Sequence, residues 1–327
     1  MGRTTKIDWA DSTWNPVTGC FHDCPYCYAR NMAKRFEGCD RQSTYSVHFA
    51  ASHFHRINPY SDTEHAMFEV SADRPPVNVT FNPKTQKQRV TVAPYPFGFR
   101  PTLRRDRFDQ PQKWKEPRNI FVCSMADLFG DWVPAEWIHE IFNEARKAPQ
   151  HRYLFLTKNP ERYGRLLTAG LLPDDDNFWY GATWESDVWN TVGGDRCYQV
   201  PEGAYNAQTE DYAHRAVKPN AFHWRKVPGA AFFPDIGNRH SFISLEPLLM
   251  DVFLIHHTKM RQEWCIIGAE TGHRKEKVIP ERKWIEHIVR DTDENHIPVF
   301  MKESIREMMG WDFRQEFPWD NRKEPTP

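Results

Sequence analysis

The sequence contains no run of apolar residues that approaches the roughly 20 needed to cross a lipid bilayer. Its first twelve residues, MGRTTKIDWADS, are polar and lack the apolar segment of a secretion signal. The formal charge of the chain is only −1, so no general positive field steers nucleic acid to its surface, and any such contact must be local. We therefore expect a folded, cytoplasmic protein with no membrane partner.

A disulfide framework is also unexpected. The chain has seven cysteines, an odd number, and the sequence gives no sign of secretion. Cys123 and Cys265 lie in the apolar runs FVCSM and WCIIG, where a free thiol usually serves as a small buried hydrophobe. Only Cys20, Cys24 and Cys27 are clustered, so these three are the candidates for metal chemistry.

Short apolar runs of strand length recur along the chain. There are eight of them, at 13–20, 96–103, 119–125, 152–157, 178–184, 241–246, 264–270 and 297–302. The middle runs are almost continuously apolar, which is typical of strands buried on both faces of a parallel sheet. Amphipathic helix patterns at 134–148 and 280–291, with weaker ones at 27–36 and 160–168, separate several of the runs. This alternation predicts an α/β fold with a parallel sheet, either a barrel or a doubly wound sheet.

Two long segments interrupt the alternation. Residues 38–95 and 187–239 are rich in Pro, Asn, His and aromatic residues and show no sustained period. Loops of this length are usually functional or disordered. We interpret them as two insertions in a single domain that spans residues 1–327.

The cysteine cluster has C-x3-C-x2-C spacing and follows the first predicted strand. Three thiolates on one short loop can bind three irons of a 4Fe-4S cluster and leave the fourth iron open to a cosubstrate. The alternative is a structural zinc site, which needs a fourth ligand such as His22 or Cys39. Zinc sites favour paired C-x2-C knuckles, and the sequence has no second knuckle. We expect His22 and Asp23 to be solvated loop residues.

The spacing, the aromatic Tyr26 before the last cysteine and the position after the first strand resemble the radical S-adenosylmethionine (SAM) superfamily. The string NPVTGCFHDCPYCYAR is also similar to the cluster loop of spore photoproduct lyase-like proteins. The combination of TKIDWADSTWNPVTGC, FVCSMADLF, YLFLTKNPER, SLEPLL and IIGAETG resembles a phage-associated family of three-cysteine-motif proteins of unknown function. That resemblance spans most of the chain outside the two insertions.

The radical SAM resemblance implies a TIM-type (βα) barrel, full or partial, with the two insertions on its rim. It implies a 4Fe-4S cluster on Cys20, Cys24 and Cys27, with SAM as cosubstrate. It also implies a reductant such as flavodoxin or ferredoxin, whose electron leads to cleavage of SAM into methionine and a 5′-deoxyadenosyl radical. Tyr26 belongs to the implied cofactor-binding set.

In a barrel of this kind the active site lies at the carboxyl ends of the strands. That rule nominates Asn15, Thr18, Ser124, Asp127, Thr157, Lys158, Asn159, Glu185, Glu246, Glu270 and Lys302. Ser124, Glu246 and Glu270 are the candidates for the ribose and amino-group contacts of SAM, since hydroxyls and carboxylates suit those donors. The two glutamates could instead be structural acids paired with Lys302 or Lys158. A glycine-rich strand-two motif for the methionine amino group is not evident in FGFRPTL.

A basic stretch at 84–118 offers a local contact for nucleic acid. It holds ten basic residues against three acidic ones, with Tyr95, Phe97, Phe99, Phe108 and Trp114 between them. Basic groups can track phosphates and aromatic rings can stack bases. The alternative is a solvated basic loop whose charges pair with acidic helices elsewhere in the chain.

Three functions follow from these patterns. The first is a radical SAM enzyme acting on DNA, RNA or a nucleotide, in repair or modification. The second is the same enzyme acting on a peptide or small metabolite. The third is a non-catalytic nucleic-acid-binding protein stabilised by zinc or by a cluster. The sequence does not select the substrate or the oligomeric state.

Overall fold

The computed structural model describes residues 5–22, 24–40, 45–49, 66–184, 233–252, 262–272, 274–275 and 277–320. The chain divides into two compact units, Met1–Leu156 and Thr157–Pro327. The main sheet has seven strands: β1 (Ser12–Trp14), β8 (Asn119–Val122), β9 (Arg152–Thr157), β10 (Phe178–Thr183), β11 (His240–Leu245), β12 (Cys265–Ile267) and β13 (Val299–Met301). They are hydrogen-bonded in that order.

The order of the strands distinguishes between the two predicted architectures. Within this sheet the strands lie side by side in the order in which they occur along the chain, and β1–β8, β8–β9, β10–β11, β11–β12 and β12–β13 are parallel. A doubly wound sheet reverses its strand order at a switch point, whereas a barrel sheet keeps the chain order. The mixed α/β class is therefore confirmed, and the strand order is compatible with a partial barrel.

A smaller, four-stranded sheet comes from the first unit. It consists of β2 (Val17–Thr18), β3 (Tyr45–Phe49), β4 (Ala66–Val70) and β7 (Thr102–Arg104), in the order β2-β7-β4-β3. The prediction that the run at 96–103 forms a strand of the main sheet was wrong. Pro96, Gly98 and Pro101 interrupt it, because proline cannot donate to a ladder and glycine weakens a strand. Only the segment after Pro101 is extended, and it joins the smaller sheet.

The segment 38–95 is more regular than its sequence indicates. Its described residues contain β3, β4 and an antiparallel hairpin of β5 (Val77–Asn82) and β6 (Lys87–Val92). The expectation of long irregular loops is therefore wrong for the described residues of this segment. Of the second predicted insertion, 187–239, residues 187–232 lie outside the described residues.

The helices are α1 (Tyr28–Arg35), α2 (Ala135–Arg146), α3 (Glu161–Thr168), α4 (Arg282–Glu294) and the one-turn α5 (Arg306–Met309). All four predicted helices are confirmed within a few residues. In α2 the buried residues are Trp137, Ile138, Ile141, Phe142 and Ala145, the stripe that the 3.6-residue period predicts. None of the described helices has the length and apolar character required to cross a bilayer.

Candidate metal centre

The cysteine loop begins at Gly19, in a close contact between backbones. Gly19 has φ +87°, and its N–H donates to the Met125 carbonyl at 2.8 Å. A Cβ at this position would lie 2.2 Å from the carbonyl oxygen of Arg100. Only glycine allows this approach without strain, since it has no Cβ and tolerates positive φ. The N–H of Cys20 then donates to the Phe99 carbonyl at 3.2 Å, so two other segments fix the start of the loop.

The loop ends where Cys27 caps α1. Its backbone is extended (φ −64°, ψ 104°), and its sulfur accepts the Arg30 N–H at 3.3 Å. The Cys27 N–H donates to the Cys24 carbonyl at 3.2 Å, which closes a turn between the last two cysteines. Ala29 and Ala33 of α1 are buried against Tyr95 and Met125, in the same apolar cluster that Cys27 contacts. The helix therefore holds the third cysteine in place.

The three thiols share one electrostatic environment. Burial raises the pKa of the Cys20 thiol well above its ordinary value, and Asp127, Cys24 and Cys27 raise it further. The Cys20 sulfur also accepts the His22 N–H at 3.4 Å. Among the described residues, no three His, Cys, Asp or Glu side chains form a ready set of metal ligands. The cysteines are thus candidates by their thiol chemistry and by their placement on one loop.

His22 is a buried anchor of this loop. The residue is only 7% exposed, and its Nε2 lies 2.7 Å from Oδ2 of Asp127, which is itself buried. The other carboxylate oxygen of Asp127 accepts the Phe129 N–H at 3.0 Å. The expectation of a solvated His22 was wrong, because its partner lies 105 residues away in sequence. Asp23 lies outside the described residues.

Two predicted cofactor-binding residues meet beside the loop. Oδ1 of Asn15 accepts the Ser124 hydroxyl at 3.2 Å and the Met125 N–H at 2.9 Å. The Tyr28 hydroxyl donates to the Ser124 carbonyl at 2.7 Å. Asn15 and Tyr28 therefore hold the turn after β8 against the cysteine loop. Sequence reasoning missed Tyr28, because its partner is a backbone carbonyl that no motif marks. Tyr26 is partly buried on the loop itself.

In the second unit, the two predicted glutamates have basic partners. Glu246, after β11, forms an ion pair with Lys302, after β13. Glu270, after β12, accepts two hydrogen bonds from Arg274, at 2.7 and 2.6 Å. The structural pairing with Lys302 is confirmed for Glu246, whereas the partner of Glu270 was not foreseen. Contact of either glutamate with SAM stays a prediction.

Gly268 makes room for the Glu246–Lys302 pair. A Cβ at Gly268 would lie 2.9 Å from Cδ of Lys302, so the lysine stem passes directly over the end of β12. Thr18, Thr157 and Asn159 are buried at the ends of their strands. Lys158 follows β9, and Glu185 lies outside the described residues.

A model of a family described as a protein of unknown function (DUF5131) matches residues 4–202, more than half of the chain. The chain belongs to this family. No curated protein and no solved structure matches it. In this DUF5131 protein the matched range includes the whole cysteine loop together with Asn15, Ser124 and Asp127, and it excludes Glu246 and Glu270.

The basic stretch of the DUF5131 protein is largely engaged in internal contacts. Arg104 is fully buried and donates to Asp106 and to the Pro94 carbonyl. Arg107 donates to the Asn15 and Pro94 carbonyls. Burial and the neighbouring Arg104 lower the pKa of Arg107 to about 10, so it keeps its charge at neutral pH. These arginines hold loops together and are poorly placed to meet phosphates.

The aromatic residues of the stretch show the same pattern. Tyr95 is buried, and Phe97 stacks on Phe68 with ring centroids 4.0 Å apart. Trp114 carries the Arg118 guanidinium over its ring. A ring that is already covered on one face offers less surface to a nucleic-acid base. These three rings are therefore less open to a base than their sequence indicates, and this favours the internal-pairing alternative.

Arg105 gives the clearest test of this pairing in the DUF5131 protein. It binds Glu69 of β4 and Glu140 of α2, and the hydrogen bond that it donates to Glu140 raises its pKa. We expect Arg105→Met to lower the free energy of unfolding by about 1 kcal/mol, since two partly buried carboxylates lose their partner. Urea denaturation measures the change. The control Arg89→Met, on the exposed β6, should cost less than about 0.5 kcal/mol. Equal midpoints for the two variants would contradict internal pairing.

Proposed function

We propose that this chain is a radical SAM enzyme in which Cys20, Cys24 and Cys27 bind a 4Fe-4S cluster. One observation carries the proposal. Three thiols in C-x3-C-x2-C spacing lie on the loop that follows β1 and β2, ahead of α1, in a protein with a parallel α/β sheet. When bound, the cluster would supply the electron that cleaves SAM into methionine and a 5′-deoxyadenosyl radical.

Three thiols on one short loop are the donor set that a cluster with one open iron requires. The sulfurs of Cys20 and Cys27 each accept a backbone N–H, and such bonds to sulfur help to set the reduction potential of a cluster. A structural zinc ion would need a fourth protein ligand. The Nε2 atom of His22 is engaged with Asp127, so only its Nδ1 atom could serve as that ligand.

The residues around the loop have distinct proposed roles. Asp127 is a positioning residue, since its carboxylate holds His22 and the Phe129 N–H. Asn15 positions the turn that carries Ser124. The Ser124 hydroxyl and the Tyr26 side chain, on segments that flank the cysteines, are the proposed contacts of SAM in the first unit.

We further propose that the sheet is part of a TIM-type barrel, full or partial, with residues 38–95 and 187–239 as rim insertions. The chain-order pairing of seven strands supports this architecture. In such a barrel the ends of β11 and β12, where Glu246 and Glu270 lie, belong to the active-site face.

The proposal includes a protein reductant such as flavodoxin or ferredoxin, in the cytoplasm, where thiols stay reduced. The surface of α1 supports such a partner. Met32, Lys34 and Arg35 are exposed on this helix, which begins directly after Cys27. An apolar side chain on the same helix as two positive charges suits an acidic electron carrier.

The test is purification and reconstitution under anaerobic conditions. We expect a brown protein with about four irons and four sulfides per chain. Its reduced form should change its electron paramagnetic resonance spectrum when SAM is added, and should produce 5′-deoxyadenosine with dithionite as electron source. A colourless protein with one tightly bound zinc ion, or a cluster whose spectrum does not change when SAM is added, would overturn the proposal.

A further inference from the structure

The β5–β6 hairpin stands apart from both larger sheets of the described chain. Its strands pair only with each other, over six residue pairs from Val77–Val92 to Asn82–Lys87. The first half of β5 is partly buried, and every residue from 80 to 90 is exposed. At about 3.3 Å per residue, the hairpin is about 20 Å long. It is therefore an arm with a packed base and an exposed tip.

The base of the arm is fastened by hydrogen bonds. Oδ2 of Asp40 accepts the Val79 N–H at 2.5 Å, and the Asp40 N–H donates to the Val77 carbonyl at 3.0 Å. The Ala93 N–H donates to the Pro76 carbonyl at 2.7 Å. An isolated two-stranded hairpin is marginally stable in water, so these contacts fix where the arm leaves the first unit.

The two faces of the arm differ in chemistry. Because side chains alternate along a strand, the register divides them into two sets. One face holds Val77, Val79, Phe81, Gln88, Val90 and Val92. The other holds Asn78, Thr80, Asn82, Lys87, Arg89 and Thr91. The apolar cross-strand pairs on the first face stabilise the hairpin, and the second face presents amide, hydroxyl and cationic groups to solvent.

The charge of the arm has one sign. No Asp or Glu occurs from 75 to 105, in a chain that has 44 acidic residues. Within the arm, Lys84, Lys87 and Arg89 are exposed, and none of them has a carboxylate nearby in sequence. The arginines that follow at 104, 105 and 107 are engaged internally. Of the six exposed basic residues of the basic stretch, three therefore lie close together on the hairpin, on a segment without acidic residues.

We infer that the β5–β6 hairpin binds double-stranded DNA, with the Lys87–Arg89 face in the major groove. The major groove of B-form DNA admits a two-stranded β-ribbon, and arginine, lysine, asparagine and threonine are the side chains that read its base edges and phosphates. The major groove of A-form RNA is too narrow for side chains to read. Binding of single strands relies on stacking aromatics, and Phe81 is the one aromatic residue in the hairpin.

This inference rests on the proposed function in one respect, since it names duplex DNA as the substrate class of the proposed enzyme. The binding itself does not depend on the cluster. Fluorescence anisotropy with the full-length chain and a labelled 20-base-pair duplex measures it. The test variant is Lys87→Glu/Arg89→Glu, and the matched control is Lys275→Glu/Lys277→Glu, an exposed pair with the same spacing and charge change.

We expect the wild type and the control variant to bind duplex DNA within twofold of each other. The hairpin variant should bind at least about tenfold more weakly, and its slope of log affinity against log salt should fall by about two. Circular dichroism checks that both variants fold. Equal affinity of the hairpin variant, no duplex binding by the wild type at low salt, or tighter binding of single strands or duplex RNA would each overturn the inference.

The same samples separate this inference from the cluster chemistry. Formation of 5′-deoxyadenosine without duplex binding overturns the DNA inference alone. Duplex binding by a protein that never forms 5′-deoxyadenosine overturns the proposed function and leaves the hairpin as a DNA-binding arm.

Discussion

Replacement of Cys24 by alanine is expected to remove the iron from the protein and to reduce 5′-deoxyadenosine formation at least about 100-fold. Three sulfurs are the minimum that hold three irons of the cluster, and the loss of one leaves only two protein ligands. The backbone carbonyl of Cys24, which accepts the Cys27 N–H, remains in the variant. The fold should therefore persist, with an unchanged thermal transition of the metal-free protein.

Cys39→Ala is the matched control for this variant. Cys39 is partly buried like Cys24, lies beyond the end of α1, and is the cysteine that a zinc site would recruit as its fourth ligand. We expect this variant to keep its iron content and its rate of SAM cleavage. Loss of metal from both variants, with zinc as the metal in the wild type, would favour the structural zinc site. Metal analysis and chromatographic detection of 5′-deoxyadenosine give the two readouts.

The second large effect is expected at Gly19. Alanine there adds a methyl group 2.2 Å from the Arg100 carbonyl oxygen, at a φ of +87° that L-residues rarely adopt. Backbone atoms cannot move aside as a flexible side chain can, so the loop must shift. We expect Gly19→Ala to lower the free energy of unfolding by at least about 2 kcal/mol. Cluster incorporation should also fall, because the shift carries Cys20 with it.

A comparison with Gly38→Ala separates the steric clash at Gly19 from the backbone strain of a positive φ. Gly38 has a similar φ of +91°, but a Cβ there meets no atom within 4 Å. Its alanine variant should lose about 1 kcal/mol, from backbone strain alone, and should bind a cluster normally. If both variants unfold at the same urea concentration, the close approach at Gly19 does not hold the loop. Urea titrations and iron content after reconstitution decide between the two outcomes.

Much of the secondary structure could be predicted, because its signals are local. The 3.6-residue stripe of α2 and the apolar runs of β8 to β13 depend on residues close together in sequence. The run at 96–103 misled for the same reason: its apolar content resembles a strand, while two prolines and a glycine limit its pairing. The alternation in β5 and β6 was overlooked within a long segment of mixed composition.

Of the candidate site, only the three cysteine ligands could be predicted from the sequence. Cysteine spacing identifies Cys20, Cys24 and Cys27 without a structure, because a short loop keeps them near each other. The supports of that loop come from far along the chain. His22 and Asp127 are separated by 105 residues, and Asn15 and Ser124 by 109. No local pattern links such pairs, so sequence reasoning listed three of these residues as cofactor contacts and dismissed His22.

The sequence by itself determined the parallel α/β class, the helices and the three-cysteine loop, since periodicity and spacing are properties of neighbouring residues. Only the tertiary structure decided which polar groups support that loop, and which basic residues bind partners within the chain. It also showed that three of the exposed basic residues of the 84–118 stretch lie together on one hairpin. Burial and ion pairing depend on segments that meet in space, and one sequence does not record where they meet.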